Sequence, residues 1–360
     1  MFPKGYLILT DMFLVLAVGL ISGYIFFKMK VPGGMMIGAI IGVAALNIFF
    51  GVSHLPSYVK QAAQITAGAF IGCSVEKSDI RRLKYIVRPA LVILSSMLML
   101  NIILGFVIYF ISPLDLPTSL MSCVPGGMSD IPIISADMGA DVPKVAILQF
   151  VRMTAGLGLF PSLIALIARR RDQKNNASSP EKSEAPSERV KSGVYTTELF
   201  IQTIAIAALG GIMGSFLNIP AGVLLFSMLS VIGIKLIRNK AYMPMWAKRL
   251  AQVLSGTYIG CGMSFSDVLE LKYLILPALI LISSYFITCL ITGNILCKYF
   301  GMSIKEAMLA ATPAGASDMA LISSDLGVQS ADLIVLQIIR LVVVVSLFPQ
   351  IIHLIIMLVG

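Results

Sequence analysis

Histidine, tryptophan and charge are all scarce in this chain. Of 360 residues, two are histidine, one is tryptophan and 12% carry a charged side chain. A soluble domain carries about 25% charged residues, so this composition excludes a soluble fold. His54 and His353 have no Cys or His partner at ligand spacing, which leaves a metal-dependent redox enzyme without ligands. The five cysteines (Cys73, Cys123, Cys261, Cys289 and Cys297) sit in apolar surroundings without metal-type spacing, and they do not read as a disulfide framework. No Walker-type loop is present, so ATP drive would require a partner protein. No nucleophile–base pair appears at matched depth, and the chain reads as neither an enzyme nor a carrier of a cofactor or metal.

What the chain has in abundance is apolar surface. Hydrophobic residues make up 58%, the mean hydropathy is +0.92, and apolar runs occupy 7–27, 86–111, 145–168, 199–217, 273–297 and 333–358. Several reach the ~20 residues that cross ~30 Å of hydrocarbon. The class is an all-α polytopic membrane protein with the lipid bilayer as its first partner. The first run follows only Lys4 and reads as a retained helix. The net charge of +9 reads as loop charge that orients the chain, and no nucleic-acid partner is implied.

The chain is duplicated. IGCSVEKSDIRRLKYIVRPA at 71–90 and IGCGMSFSDVLELKYLILPA at 259–278 match at ten of twenty positions, at an offset of 188. The same offset aligns 125–161 with 313–349, where fourteen of thirty-seven match. The shared residues include Pro125/Pro313, Gly127/Gly315, Ser129/Ser317, Asp130/Asp318, Asp137/Asp325, Gln149/Gln337 and Arg152/Arg340. Residues 1–168 therefore form a first membrane repeat and 194–360 a second. The polar, charge-mixed stretch 169–193 between them reads as a disordered cytoplasmic linker.

Basic residues collect at 28–30 and 76–88 in the first repeat, but at 235–249 and 298–306 in the second. Because positive charge marks cytoplasmic loops, the swap predicts two inverted-topology repeats in the plasma membrane. With the linker inside, that arrangement leaves only Lys4, Lys60, Lys144 and Lys272 outside, and Arg152 and Arg340 within the bilayer. Inversion needs an odd number of crossings among six apolar segments per repeat. The expected outcome is about ten transmembrane helices plus two broken or re-entrant hairpins, at 118–140 and 306–328. A broken helix that crosses fully, with the third segment failing to cross, is the competing topology.

Those two segments carry the candidate site. CVPGGMSDIPIISADMG at 123–139 and ATPAGASDMALISSDLG at 311–327 place helix breakers and bare carboxylates inside apolar chain. A break in a membrane helix survives only where protein or a water-filled cavity covers it, and in secondary transporters such breaks hold the solute or coupling ion. Gly126, Gly127 and Gly315 allow close approach of the backbone. Ser129, Asp130, Ser317 and Asp318 are candidates either for N-capping alone or for proton or Na+ coupling. Asp137 and Asp325, seven residues on, read as interfacial. Arg152 and Arg340, each three residues after Gln149 or Gln337, lie about ten residues into long apolar helices. Each needs an ion pair with Asp130 or Asp318, or an anionic ligand. Gly68, Gly72, Gly256 and Gly260 form small-residue faces that read as close helix packing.

In PGGMSD…ISADMG…LQFVR, its echo PAGASD…ISSDLG…LQIIR, and the paired IGCSV/IGCGM, the chain resembles the membrane AbrB family, whose hallmark is a duplicated hydrophobic domain. The resemblance covers essentially everything outside 169–193. Members are described as transporters or as membrane regulators of gene expression, some under the label ammonia monooxygenase, an activity that two lone histidines argue against. The expected function is a secondary transporter of a small polar or anionic solute, proton- or cation-coupled, alternating access between inverted repeats. The alternative is a membrane-embedded sensor or regulator of gene expression. A homo-oligomer is compatible with either.

Overall fold

The computed structural model describes residues 4–31, 33–51, 55–164, 166–167, 197–217, 219–238, 240–313 and 330–359. The linker at 169–193 lies outside the described residues, as do Gly315, Ser317, Asp318 and Asp325 of the second broken segment. Among the described residues every regular element is helical. In the first repeat these are α1 (Lys4–Lys28), α2 (Gly34–Phe50), α3 (Ser57–Ser74), α4 (Lys77–Ile111), α5 (Leu116–Ser122), α6 (Ile131–Ser135) and α7 (Val142–Gly158). In the second they are α8 (Thr197–Phe216), α9 (Gly222–Arg238), α10 (Met245–Cys261), α11 (Phe265–Glu270), α12 (Ile275–Phe300), α13 (Ile304–Ala311) and α14 (Ala331–Val359). Six helical spans among the described residues are long and apolar enough to cross a membrane: Asp11–Lys28, Tyr85–Ile111, Val142–Ile164, Thr197–Phe216, Phe265–Phe300 and Asp332–Val359.

Local chemistry sets the ends of these helices. Proline occupies the first turn of α5, α6 and α7, where its missing N–H has no intrahelical partner to lose. The Asp141 carboxylate caps α7 by accepting from the Lys144 backbone N–H at 3.3 Å, and the Ser303 hydroxyl caps α13 by accepting from Glu306 N–H at 3.2 Å. Gly33, before α2, has φ +64°, and its repeat equivalent Ala221, before α9, has φ +57°. The turn was thus kept through duplication even where a Cβ makes it costly.

Packing divides the chain across the repeats and not along them. One body gathers the first three helices of each copy: α1 on α2, α8 on α9, α3 on α9 and α10 on α2, with α3 also against α10. The other gathers α4–α7 and α11–α14, with α12 against α4, α7 and α13, and α14 against α4 and α5. We call them the scaffold and the core. They meet mainly where α6 and α7 touch α10 and where α14 touches α3.

Scaffold contacts recur at the 188 offset with partners exchanged. A Cβ on Gly68 would fall 2.6 Å from Leu224 O, and one on Gly256 would fall 2.4 Å from Met36 O. Gly72 stands against Met228 O as Gly260 stands against Ile40 O, both at 2.8 Å. The small-residue faces expected from GAFIG and GTYIG are therefore the sites where backbone meets backbone. Exchange of this kind, i with j and j with i, is what a two-fold relation produces.

Candidate functional site

Helix α5 ends at Ser122 and α6 begins at Ile131, so Cys123–Asp130 is the expected break. The Asp141 N–H donates to the Thr118 hydroxyl at 2.8 Å. The segment therefore leaves and returns at one end of the bundle, as a hairpin. Gly126 and Gly127 serve close approach: a Cβ on Gly126 would fall 2.5 Å from the Ile131 side chain, and one on Gly127 would fall 2.2 Å from the Asp130 carboxylate.

A helix that stops inside apolar surroundings leaves carbonyls that must find donors. Here donors from three helices converge on them. Gln149 Nε2 donates to Met121 O, Ser122 O and Val124 O at 3.2, 3.2 and 3.1 Å. Arg152 donates through Nη1 to Val124 O and through Nη2, at 2.6 Å, to Gly126 O. Tyr285 Oη donates to Cys123 O at 2.5 Å, and Asn101 Nδ2 to Leu120 O at 2.9 Å. The second copy repeats the pattern: Gln337 Nε2 donates to Leu309 O at 3.0 Å, Arg340 Nη1 to Thr312 O, and Cys289 Sγ to Met308 O at 3.2 Å. Each of these pairs is shifted by 188 from its first-repeat equivalent.

This changes the account of Arg152. Its expected partner was a carboxylate or an anion, but among the described residues no carboxylate lies within 4 Å of it. Its partners are carbonyl oxygens at the C-terminal end of α5, where the helix dipole is negative and a cation is favoured. Gln149, on the same face, acts with it. Among the described residues, Arg152 Nε and Gln149 Oε1 remain buried without a hydrogen-bond partner.

The carboxylates divide. Asp130 makes no capping hydrogen bond, so N-capping does not account for it; the unlike charge acting on it is Lys248 of α10. Its neighbour Ser129 accepts from Gln252 Nε2, also of α10, at 3.2 Å. Asp137 pairs with Lys60 Nζ of α3 at 2.6 Å and accepts from Gln64 Nε2 at 2.9 Å.

All of these contacts join scaffold to core, and the scaffold residues are one motif in two copies. Lys60 and Gln64 stand at the 188 offset from Lys248 and Gln252. Each pair is four residues apart and so shares a helix face. The offset comparison could have found the motif, because KQAAQ and KRLAQ differ at only two of five positions. Tyr285 left no such signal, since its equivalent is Met97.

Two cavities open along the same seam. One of about 670 Å³ is lined by Leu55, Tyr258 and Gly262 of the scaffold side and by Asp115, Asp141 and Asp267 of the core side. The second, about 270 Å³, lies between Lys60, Gln61 and Ser215 on one body and Asp137 and His353 on the other.

The family model described as "Transition state regulatory protein AbrB" matches this chain over 3–168 and again over 87–356. YhjN, an uncharacterized protein of Bacillus subtilis strain 168, is 29% identical over 269 residues, covering 70% of this chain and 68% of its own. A protein of Escherichia coli strain K12, provisionally named regulator AbrB, is 25% identical over 335 residues, 91% of each chain. With a broken helical segment whose sequence recurs in the second half, apolar spans of membrane length and a family model that matches over both copies, the chain belongs to the membrane AbrB family.

Proposed function

We propose that this protein is a secondary transporter in the plasma membrane, with its two repeats inserted in opposite senses and the linker at 169–193 in the cytoplasm. The cargo is a small polar or anionic solute, and the carboxylates of the breaks, Asp130 and Asp318, couple its movement to H+ or Na+. Alternating access arises as the core, which carries the broken hairpins, moves against the scaffold along the seam where both cavities lie. Breaks of this kind at a repeat interface are the usual place for solute and ion sites.

One observation carries the reading: Lys144 Nζ lies 2.6 Å from the Glu270 carboxylate. In the first repeat, position 82 (the equivalent of 270) and position 144 are separated by the whole of α4 and a hairpin that returns to its starting end. They belong at opposite membrane faces. Copies in the same sense would hold 144 and 270 about 30 Å apart; opposite senses bring them together. The charge swap between the loops of the two repeats points the same way.

The test is uptake into vesicles containing the purified chain, with solutes chosen by comparing metabolite pools of cells that lack or overproduce it. Solute accumulation that collapses with the ion gradient, and that fails in Asp130→Asn, is expected. Tight vesicles that move none of the solutes whose pools change would sink the reading.

The regulator reading is favoured by the name of the Escherichia coli relative. Deleting 172–190 separates the two: a transporter keeps its uptake, whereas a protein that signals through its linker loses its effect on gene expression.

A further inference from the structure

The 270 Å³ cavity lies on the seam along which the core would move, and its lining has a chemistry of its own. Its polar wall holds an ion pair that joins the two bodies: Lys60 on α3 of the scaffold and Asp137 just past α6 of the core, 2.6 Å apart, with side chains 17% and 21% exposed. Gln64, almost fully buried, fixes the Asp137 carboxylate through the second oxygen. Gln61, Ser57, Ser215 and His353 add further hydrogen-bonding groups around the pair. The equivalent lysine of the second repeat, Lys248, has no carboxylate within 4 Å among the described residues and lies over the Phe70 ring at 4.8 Å. The paired arrangement belongs to this cavity alone among the described residues.

We propose that this cavity is a binding site for a small zwitterion of the α-amino acid class, with its carboxylate on Lys60 and its ammonium group on Asp137. Charge balance selects the ligand. Parting a half-buried ion pair leaves two charges uncompensated, which is costly. A lone anion would satisfy Lys60 and strand Asp137; a lone cation would do the reverse. A neutral solute would compensate neither. A zwitterion replaces one ion pair with two charge-assisted contacts, each ~2.8 Å long. The cavity's volume exceeds that of a small amino acid and leaves room for the side chain.

Insertion has a mechanical consequence. The Lys60–Asp137 separation must grow from 2.6 Å to roughly 8 Å, two contacts of ~2.8 Å plus the solute between them. Because the two residues sit on different bodies, binding loosens a direct tie between scaffold and core and replaces it with one that passes through the solute. This site deepens the transport reading by naming a substrate class, and it rests on that reading for its consequence but not for binding itself.

The experiment is thermal unfolding and calorimetric titration of the full chain in detergent with glycine, L-alanine and L-serine. Acetate, lactate and ethylamine, each carrying one of the two charges, serve as controls. The amino acids are expected to raise the melting temperature and the single-charge probes to leave it unchanged at equal concentration. K60M and D137N are expected to weaken binding at least tenfold, while K144M leaves it intact. K60D/D137K, which re-forms the pair in reverse, is expected to recover binding and keeps the test sound should a single variant misfold. The site is overturned if no amino acid binds the wild-type chain, if acetate alone reproduces the shift, or if K60M and D137N bind as the wild type does. Amino-acid binding without vesicle uptake would uphold the site and sink transport; uptake of another solute without amino-acid binding would do the opposite.

Discussion

Arg82 Nη1 of α4 lies 3.0 Å from the Asp332 carboxylate at the start of α14. The repeat equivalents of these two residues are Glu270 and Lys144, which pair at 2.6 Å. The same contact therefore exists twice, with the charges exchanged. The Arg82–Asp332 half is weak, since its side chains remain 44% and 51% exposed and such pairs contribute at most about 1 kcal/mol. Their value is as markers of which helix ends share a face.

If 144 and 270 share one face while 82 and 332 share the other, residues equivalent by sequence must be reached from opposite sides. Ser57 opens α3 beside the smaller cavity, and its equivalent Met245 opens α10. S57C is expected to react with a membrane-impermeant maleimide in right-side-out vesicles, and M245C only in inverted ones. Labelling of both from the same side would refute opposite insertion.

The hydrogen bonds of Arg152 make a prediction about stability. In R152M, Gly126 O loses its side-chain donor while staying half-buried, and Val124 O keeps only Gln149 Nε2 as a side-chain donor. One unsatisfied group costs about 1–3 kcal/mol, so the variant should lose roughly that much in a denaturant titration in detergent. R152K, with one compact cation and no fork, should fall between R152M and the wild type. An unchanged unfolding midpoint in R152M would show that the guanidinium does not hold the break.

The break itself was legible because proline, glycine and aspartate interrupt membrane-length apolar runs at matching positions in both copies. Its donors were half legible. Gln149 and Arg152 stand out by polarity and spacing, but sequence pointed Arg152 at a carboxylate, because the carbonyl cluster that attracts it exists only once α5 has ended. Tyr285 was invisible, since a tyrosine in an apolar helix differs little from its neighbours and its partner Cys123 O is main chain. The division into scaffold and core was also hidden. Duplication shows as collinear similarity, whereas packing depends on how the exchanged glycine faces of α3 and α10 seat against α9 and α2, a relation with no linear trace.

Those faces distinguish two kinds of glycine. A Cβ at Gly256 would meet Met36 O at 2.4 Å, and backbone cannot move aside cheaply, so G256A should lower the unfolding free energy by about 1–3 kcal/mol. Gly233 lies within α9 with nothing within 4 Å of an added Cβ. G233A should be neutral or stabilising by up to about 1 kcal/mol, the helix-propensity difference. Equal effects of the two substitutions in the same denaturant titration would contradict the packing described.

The two kinds of ion pair can be separated by covalent linkage. Lys144–Glu270 joins α7 to α11 within the core, whereas Lys60–Asp137 joins scaffold to core. Replacing each pair by cysteines and bridging them with a short bifunctional reagent therefore poses one question twice. If the core moves against the scaffold, bridging K60C/D137C should abolish the uptake that the unbridged double variant retains at saturating solute, and cleavage of the bridge should restore that reduced level. Bridged K144C/E270C should retain uptake, because that link lies inside one moving body. Full uptake in the bridged K60C/D137C protein would mean that the two bodies keep a fixed separation at α3, and motion along this seam could not be the transport step.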